Sequence, residues 1–366
     1  MKSKRYVDPF FPNRPVTDPE RFAGRESQVD NVVDSLYQTA NDNPKHTIIT
    51  GDRGMGKSSL LVQTRLLATG DNRLATQLGI ELGMESFNFV VAWHDADEGQ
   101  TPEHIAFGVL RELESSVKKF FQKFTLELDA FGLMISKAEE DEEKSISELV
   151  VQFCSKMEEI SKEITKKENH GVLIFIDELD RVEASSGIAT FFKLCAERLS
   201  RQGVNNVAFF CAGITGAIEN LEADHGSIYR TFRDVPIPRL EPEESARILI
   251  GGFDKIKYTY DSKVLELTHE ISNGFPEPVH IMGSGMLAVD TDGHISVDDF
   301  ESAKLRVVSD LRRNKLHSLL KKAGSGKYQR ILKIMAESTD PNVSVEFISN
   351  NLDWNKINLV QIWVTS

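Results

Sequence analysis

The segment Gly51-Asp52-Arg53-Gly54-Met55-Gly56-Lys57-Ser58 decides how this chain folds. It fits the pattern G-x-x-x-x-G-K-[ST], in which glycines let the backbone curl until its N–H groups point inward at phosphate oxygens. A short apolar strand at 46–50 runs straight into it, and a helix is expected to follow at 58–69. This context favours a phosphate-binding loop over a chance glycine-rich turn, and it predicts a site for a nucleoside triphosphate.

Each part of the phosphate-binding loop has an expected task. Lys57 supplies a mobile cation to the β- and γ-phosphates, and the hydroxyl of Ser58 is a ligand for Mg²⁺. ATP or ADP with Mg²⁺ is therefore the expected cofactor. The loop and the residue after it supply the expected nucleotide-binding set, which is Gly51, Asp52, Arg53, Gly54, Met55, Gly56, Lys57, Ser58 and Ser59.

A second motif is the acidic end of the apolar run at 172–176. Such an unbroken run is typical of a central parallel strand, and here it ends in Asp177 and Glu178. An aspartate at this place holds Mg²⁺, and the adjacent glutamate is placed to polarise an attacking water. Asp177 is thus an expected metal ligand with Ser58, and Glu178 the expected catalytic base. Asp180 is a weaker candidate, for which a solvated helix start is the simpler interpretation.

Strands and helices alternate along the first two thirds of the chain, which is typical of a doubly wound sheet. The expected fold class is α/β, a P-loop NTPase three-layer sandwich with a parallel sheet, followed by an all-α lid and a small C-terminal helical unit. The expected strands are 46–50, 87–93, 172–176 and 207–212, and the expected core helices are 26–40, 58–69, 101–121, 145–167 and 188–201.

The expected domains follow from the same pattern. Residues 1–20 are rich in proline and are expected to be extended. The core is expected at 21–240 with an insertion at about 124–145, the helical lid at 241–322, and the C-terminal unit at 325–366.

The composition is that of an ordinary globular protein, with 40% hydrophobic and 27% charged residues and a net charge of −13. That charge predicts a chain that as a whole repels nucleic acid and anionic membranes. The three cysteines form no C-x-x-C pair and are expected to be small buried hydrophobes in a reducing compartment. Without a signal peptide or a membrane-spanning run, a cytoplasmic protein is expected.

Three residues beyond the main motifs are candidates for catalytic roles. Arg230 and Arg233 lie in the segment Tyr-Arg-Thr-Phe-Arg-Asp, after the last strand that the sequence predicts. Either is placed to reach a γ-phosphate across a subunit contact as an arginine finger, and a surface or fold-stabilising role is the alternative. Thr215, just beyond the 207–212 run, is a candidate γ-phosphate sensor and otherwise a turn residue.

In combination these motifs resemble the AAA+-type ATPases. The similarity is greatest to the branch that contains the origin-recognition-type ATPases and the STAND-like ATPases of signalling and defence proteins. It extends over roughly residues 20–320. Besides the two motifs above, four segments are similar to those of the family: F-x-G-R-E at 22–26, the sensor-1 strand and turn at 211–216, the hinge at 237–245, and G-x-P at 274–276.

The resemblance implies further nucleotide contacts near the N-terminus. The 20–26 segment lies over the adenine in these families, so Phe22, Gly24 and Arg25 are expected binding residues. An ordinary helix entry is the alternative for 24–25.

The resemblance also implies contacts from the lid. Gly274 and Pro276 are expected to approach the base or ribose, with a helix cap as the alternative. Many AAA+ lids carry a sensor-2 arginine. This sequence has no arginine between Arg247 and Arg306, and His280 is the nearest basic group.

The stretch 304–333 departs from the acidic average, with ten lysines and arginines against one acid, Asp310. Phosphate backbone is the natural partner of such a basic stripe. Simple solvation, or a fit to the acidic core of a neighbouring subunit, is the alternative. Residues 327–363 resemble the opening helices of the winged-helix domain that follows the lid in origin-recognition-type ATPases, so a partial winged-helix-like unit is expected.

Two functional hypotheses follow. In the first, the protein is an ATP-hydrolysing switch that closes its lid on ATP and then acts within a homo-oligomer, on a partner effector or on DNA. The processes that would use such a switch are replication, transposition, and antiviral or stress signalling. In the second, it is a non-hydrolysing, nucleotide-stabilised adaptor or DNA-binding module. The intact Lys57, Asp177 and Glu178 favour the first, and the lack of a sensor-2 arginine keeps the second open.

Overall fold

The computed structural model of the protein describes residues 7–118, 142–214, 228–311, 326–337 and 343–352. The chain divides into two units, Met1–Val297 and Asp298–Ser366. The first unit contains the large β-sheet and the described elements that precede residue 297, and the second unit contains the C-terminal helices.

The first unit is built on a sheet of five strands. They are β1 (His46–Thr50), β2 (Phe89–Asp95), β3 (Gly171–Asp177), β4 (Val207–Gly213) and β5 (Phe232–Pro236). The spatial order is β2-β3-β4-β1-β5, and every neighbouring pair is parallel. Every residue of β1, β3 and β4 is buried, which explains their apolar sequences. Parallel strands bring the loop after β1 and the acidic end of β3 to one edge of the sheet.

Helices cover both faces of the sheet. On one side lie α1 (Glu26–Ala40), α2 (Lys57–Ala68) and α3 (Arg73–Leu78), and on the other α4 (Pro102–Lys118), α5 (Glu142–Thr165) and α6 (Ile188–Arg201). Side chains of β3 alternate between the two cores. Leu173 and Phe175 pack with the first group, while Ile174 and Ile176 pack with the second. The predicted three-layer α/β sandwich is confirmed.

A helical subdomain follows the sheet within the first unit. It contains α7 (Pro242–Ile256), α8 (Ser262–Ser272) and α9 (Pro276–Val289). The capping box of Glu241 and Glu244 and Pro242 in the first turn fix the start of α7. These helices lie within the range 241–322 expected for the lid, whose bounds stay a prediction. A small parallel sheet accompanies these helices and consists of β6 (Thr259–Tyr260) and β7 (His294–Ile295). The sequence analysis did not predict it, because strands of two residues leave no periodic signal.

The second unit contains three described helices, α10 (Val297–Leu311, which begins at the last residue of the first unit), α11 (Gly326–Glu337) and α12 (Val345–Leu352). Helices α11 and α12 pack through Ile331, Ile348 and Leu352. Both lie within the C-terminal unit expected at 325–366. Residues 353–366 lie outside the described residues, so the winged-helix interpretation stays a prediction.

The sequence interpretation was wrong about the last strand of the large sheet. It ended the sheet at 207–212, but β5 adds a fifth strand at the edge, paired with β1 alone among the described strands, and Arg233 lies inside it. The segment Phe-Arg-Asp-Val-Pro carries two charges and a proline, which hide an edge strand from an apolar pattern.

Several other expectations can be compared directly. All three cysteines are buried thiols without disulfides, as expected, and burial raises the pKa of Cys211. Most of the predicted insertion at 124–145 lies outside the described residues, as does Thr215. Within the described ranges, no helix combines the length and the apolar character needed to cross a bilayer.

Candidate nucleotide site

The phosphate-binding loop joins β1 to α2 at the carboxyl edge of the sheet. Gly54 and Gly56 have φ angles of 80° and 90°, a region that side chains with a Cβ rarely adopt. A Cβ on Gly56 would meet nothing within 4 Å, whereas one on Gly54 would lie 2.8 Å from a carboxylate oxygen of Glu277. The loop is therefore open at Gly56 and is touched by the lid at Gly54.

The side chain of Lys57 lies against the backbone of this loop. Its Nζ donates to the carbonyl oxygens of Gly51 (2.8 Å) and Asp52 (3.1 Å). Burial lowers the pKa of Lys57, and the charges of Asp180, Asp177 and Asp52 oppose this shift. A half-buried ammonium surrounded by carboxylates and glycine backbone is a cation site prepared for phosphate oxygens.

Asp177, at the end of β3, reaches the start of α2. Burial raises the pKa of its carboxyl, while hydrogen bonds from the Ser58 hydroxyl and from the Glu178 backbone N–H lower it. The second of these bonds measures 2.8 Å to Oδ1. The fold thus brings into contact the two residues predicted as Mg²⁺ ligands, although they follow different strands of the sheet.

Glu178 lines the cleft but is already paired. Its Oε2 lies 2.8 Å from Nε of Arg181 and its Oε1 accepts from Nη2 at 3.2 Å. Arg181 in turn contacts Oδ1 of Asp97, in the loop after β2, at 3.2 Å. Glu178 also has a positive φ of 55°, a strained conformation for a residue with a Cβ. The carboxylate predicted as the base is thus held by an arginine three residues further on.

Asp180 lies in the first turn of a 3-10 helix, Leu179–Arg181, which agrees with its interpretation as part of a helix start. Its Oδ1 also accepts the backbone N–H of Ile214 at 3.1 Å. It therefore ties the acidic segment after β3 to the end of β4.

A cleft of about 420 Å³ lies between the phosphate-binding loop and the lid. The loop residues 54–59, Glu178, Pro276 and His280 line it. A further wall comes from residues 8–16, which we call the N-terminal strap; its residues 11–16 line the cleft. A volume of this size is typical of small-ligand sites.

The N-terminal strap is anchored at both ends. On the lid side, the ring of Phe10 occupies the space above Gly252 and Gly283, where added Cβ atoms would lie 2.3 and 2.6 Å from it. On the core side, the backbone N–H of Val16 donates to Oγ of Ser59 (3.0 Å) and its carbonyl accepts from Gln63 (2.8 Å). The strap therefore connects the lid to the helix that follows the phosphate-binding loop.

Arg25 joins three parts of the site. It precedes α1 with a φ of 66°, and its guanidinium donates to the carbonyls of Met55 (3.3 Å) and Pro238. Its backbone N–H donates to Oε1 of Glu244 (2.9 Å), in α7. Burial lowers the pKa of Arg25 to about 10, and Glu244 partly offsets that effect. Gly24, with a φ of 67°, packs against the same carboxylate, whereas Phe22 and Arg25 line the cleft.

The lid contributes the start of α9. Pro276 lines the cleft, and the backbone N–H of Glu277 donates to the carbonyl of Gly54 at 3.3 Å. Gly274 has a φ of 73°, and a Cβ there would lie 2.6 Å from the carbonyl oxygen of Leu240. Gly274 thus contacts the hinge, and Pro276 faces the cleft.

The two candidate arginine fingers lie in different surroundings. Arg233 binds α1 through Oδ2 of Asp34 (2.5 Å) and Oδ1 of Asn31 (2.7 Å), the contacts expected of a fold-stabilising residue. Arg230 ends a 3-10 turn, Ile228–Arg230, and is exposed. Their catalytic roles, and that of Thr215, stay predictions.

Sequence reasoning missed the strap and Arg181. A signal for the strap was present in the adjacent aromatics Phe10 and Phe11 among prolines, which is an unusual pair for a solvated segment. No local signal marked Arg181, since its partner Asp97 is distant in the chain.

Comparison with known families decides the classification. Residues 21–210, more than half of the chain, match the sequence profile described as the AAA ATPase domain. The chain belongs to the AAA ATPase domain family. The matched span includes the phosphate-binding loop, the acidic end of β3 and most of β4, so the resemblance seen in the sequence is confirmed. No curated protein sequence matches this AAA ATPase.

Two solved structures share the fold of this AAA ATPase. The Walker-type ATPase PABY2304 of Pyrococcus abyssi is 17% identical, with a TM-score of 0.59 over 93% of this chain and 86% of that one. The ORC2 protein of Aeropyrum pernix, solved as ADPNP–ADP complexes, is 14% identical, with a TM-score of 0.52 over 86% and 74% of the two chains. These likenesses show the fold.

The residues of the cleft fit a Mg²⁺-bound nucleoside triphosphate. The open backbone at Gly56 and the Lys57 ammonium suit phosphate oxygens. The Ser58 hydroxyl and the Asp177 carboxylate are hard oxygen donors in mutual contact, which is the chemistry that Mg²⁺ prefers.

Proposed function

We propose that this AAA ATPase is an ATP-hydrolysing switch that depends on Mg²⁺. The supporting observation is the convergence of Lys57, Ser58, Asp177 and Glu178 at one edge of the sheet, in a cleft that the lid and the strap cover.

The residues of the cleft have separate proposed roles in phosphate binding, Mg²⁺ binding and proton transfer. The N–H groups of the loop and the Nζ of Lys57, once it leaves the carbonyls of Gly51 and Asp52, would bind phosphate oxygens. Ser58 and Asp177 would hold Mg²⁺, which would supply charge neutralisation at the phosphates. Glu178 would accept a proton from a water, after its carboxylate separates from Arg181.

One observation favours a second candidate, a nucleotide-stabilised protein that does not turn over. The carboxylate of Glu178 is engaged by two nitrogens of Arg181 and does not point freely into the cleft. If this pair persists with nucleotide bound, ATP or ADP would act as a structural ligand.

The output of the switch is proposed as DNA or a partner protein, through a homo-oligomer or an effector. Support comes from the basic stretch 304–333, of which Arg330 and Lys333 are exposed on α11. Lys304 is paired with Glu301 at 2.7 Å. Residues 312–325 lie outside the described residues.

The test measures ATP binding by calorimetry and phosphate release on the full chain. Lys57→Ala should abolish ATP binding, because it removes the ammonium that lies against the carbonyls of the phosphate-binding loop. Glu178→Gln should keep binding and stop turnover, since the amide cannot take up a proton.

The matched control for the second variant is Glu163→Gln, an acid on α5 that is paired with Lys166 and is not among the residues lining the cleft. It should leave both measurements unchanged. Equal turnover in Glu178→Gln and the unaltered chain would overturn the hydrolysis assignment. ATP binding without any phosphate release, even with DNA added, would favour the second candidate.

A further inference from the structure

His280 is the one basic residue of the lid helix α9, and the nucleotide site described above gives it no task. Its side chain is 5% exposed, and its ring is one wall of the cleft. The ring packs edge-to-face against Phe10 and Phe11 of the strap, with centroids 6.2 and 6.0 Å away. It is therefore a buried polar ring in the aromatic part of the site.

The hydrogen bonds of His280 fix its proton. The backbone N–H of Phe11 donates to Nδ1 at 3.4 Å, so this nitrogen is an acceptor. In a neutral imidazole the proton then resides on Nε2. Within the described ranges, no group accepts a hydrogen bond from that nitrogen. This nitrogen is not fully buried, so a ligand or water in the cleft that the ring lines can supply the acceptor.

The charge state of the ring supports this assignment. Burial, helped by the nearby charge of Arg21 and opposed by Asp8, lowers the pKa of His280 to about 4. The ring is therefore neutral at physiological pH. It is unsuited to the role of a cationic phosphate sensor and suited to the role of a neutral hydrogen-bond donor.

The position of His280 along α9 indicates which part of a nucleotide it meets. The first turn of α9 touches the phosphate-binding loop, because Glu277 donates to Gly54. His280 is three residues further on, which places it about 4.5 Å along the helix axis from that contact. The same cleft is lined by the apolar and aromatic side chains of Phe11, Phe22 and Ile248, and the guanidinium groups of Arg14 and Arg21 lie over the Phe11 ring. Flat aromatic and guanidinium surfaces of this kind suit stacking against a planar base.

We propose that His280 selects the base: its Nε2–H donates a hydrogen bond to a ring nitrogen of a purine held between the strap and the lid. This inference rests on the proposed nucleotide site, since the base reaches His280 only when the phosphates occupy the loop at Gly54–Ser59.

Calorimetric binding of ATP and of Mg²⁺–tripolyphosphate tests the proposal without any turnover. His280→Phe keeps an aromatic ring but has no donor, and it should weaken ATP binding about tenfold, the equivalent of one buried hydrogen bond. Tripolyphosphate, which has no base, should bind this variant and the unaltered chain equally. His280→Gln, which retains a donor and an acceptor, should recover part of the loss.

ATP analogues in which one ring nitrogen is replaced by carbon identify the purine nitrogen that accepts the hydrogen bond. Their affinities for the unaltered chain can be measured whether or not a variant folds. Among 1-deaza-, 3-deaza- and 7-deaza-ATP, one should bind the unaltered chain about tenfold more weakly than ATP, and His280→Phe should remove that difference. Equal affinities for all three and for ATP would overturn the proposal. A second result would also overturn it. If His280→Phe weakens the binding of ATP but not of 2′-deoxy-ATP, the hydrogen bond goes to the ribose and not to the base.

Two controls separate this proposal from its alternatives. Ser284→Ala removes the lid's hydrogen bond to Asp8 of the strap without touching the cleft, so it should leave ATP affinity unchanged. A loss equal to that of His280→Phe would show that strap docking, not the donor, matters. If the unaltered chain binds neither ATP nor tripolyphosphate, the proposed function itself fails, and this result differs from every outcome above.

Discussion

Arg181 is the residue that restrains Glu178, the proposed base of the switch. It occupies the carboxylate of Glu178 and is steadied by Asp97, yet all three side chains are substantially exposed. Exposed ion pairs are weak and screened by salt, so this one restrains Glu178 without locking it. Such a restraint is easily shifted by a bound nucleotide or a neighbouring subunit.

Arg181→Gln should therefore raise basal phosphate release about two- to fivefold, because it frees Glu178 from a weak pair. ATP affinity should stay the same, since Arg181 is not part of the loop that would bind phosphates. Arg73→Gln is the matched control, because Arg73 forms a similar exposed pair with Asp71 away from the cleft. A fall in phosphate release in Arg181→Gln would show that Arg181 assists the reaction.

His46 provides a test of the folded core. It lies at the start of β1 between Phe209 and Phe232, its Nδ1 accepts the Phe209 N–H at 3.1 Å, and burial lowers its pKa from 6.5 to about 4. Between these two values the unfolded chain binds a proton that the folded chain does not. Stability is therefore complete above about pH 6.5 and is lost as the pH falls towards about 4.

Urea unfolding at neutral and mildly acidic pH measures this effect. The contribution of His46 to the loss is about 3 kcal/mol at most, from the size of the pKa change. His46→Asn keeps an acceptor near Nδ1 but does not titrate there, so its stability should fall less steeply with acid. His280 titrates in the same range and remains in both proteins, which makes the difference between them specific to His46. Parallel pH profiles would contradict the prediction.

At the scale of elements, the N-terminal strap is the least expected feature. Its Phe10 ring lies where two lid glycines leave space, and its Val16 backbone bonds to Ser59 and Gln63 of α2. Because α2 begins at the phosphate-binding loop, we expect a change in lid position to be transmitted to the loop through this segment. Docking of the strap and closure of the lid should therefore occur together.

Adjacent glycines in α7 test the docking of the strap. A Cβ at Gly252 would lie 2.3 Å from the Phe10 ring, whereas one at Gly251 would meet nothing within 4 Å. Both replacements by alanine favour the helix by about 1 kcal/mol, so Gly251→Ala should raise the melting temperature. Gly252→Ala should lower it and should expose the Arg21–Phe22 bond to trypsin, because Arg21 donates to the strap carbonyl of Pro9. Equal cleavage rates in the two variants would contradict the predicted docking.

The elements that the sequence predicted well are those whose own residues carry a periodic or apolar signal. Strand β1 and helix α1 were predicted to the residue, because continuous burial and one apolar helix face leave a plain pattern. Strand β5 was missed since an edge strand carries charges, and the strap was expected only as an extended segment. Ser58 and Asp177 were each predicted as Mg²⁺ ligands from their own motifs, and the structure places them in contact. The Arg181–Asp97 pair depends on long-range packing that no local pattern records.

At the scale of the whole molecule, binding of nucleotide should stabilise the first unit. A ligand that binds only the folded chain adds about 2.7 kcal/mol at a hundred times its Kd. Mg²⁺–ATP should thus raise the melting temperature of the unaltered chain by several degrees and leave Lys57→Ala unchanged. Lys263→Ala, which replaces a lysine of α8 paired with Glu266, is the control and should show the same shift as the unaltered chain.

The distribution of charge argues for a partner at the C-terminal unit. A net charge of −13 opposes binding to nucleic acid, yet the stretch 304–333 holds ten basic residues against one acid. Binding to DNA would therefore be local and steeply dependent on salt, and each neutralised phosphate should add about 0.9 to the steepness of log K against log[salt]. Arg330→Glu with Lys333→Glu, both exposed on α11, should reduce that steepness by about two on a short duplex, while Lys263→Glu should not change it. No duplex binding by the unaltered chain at low salt would exclude DNA as the partner and leave simple solvation or an acidic protein surface, the two alternatives for this stretch.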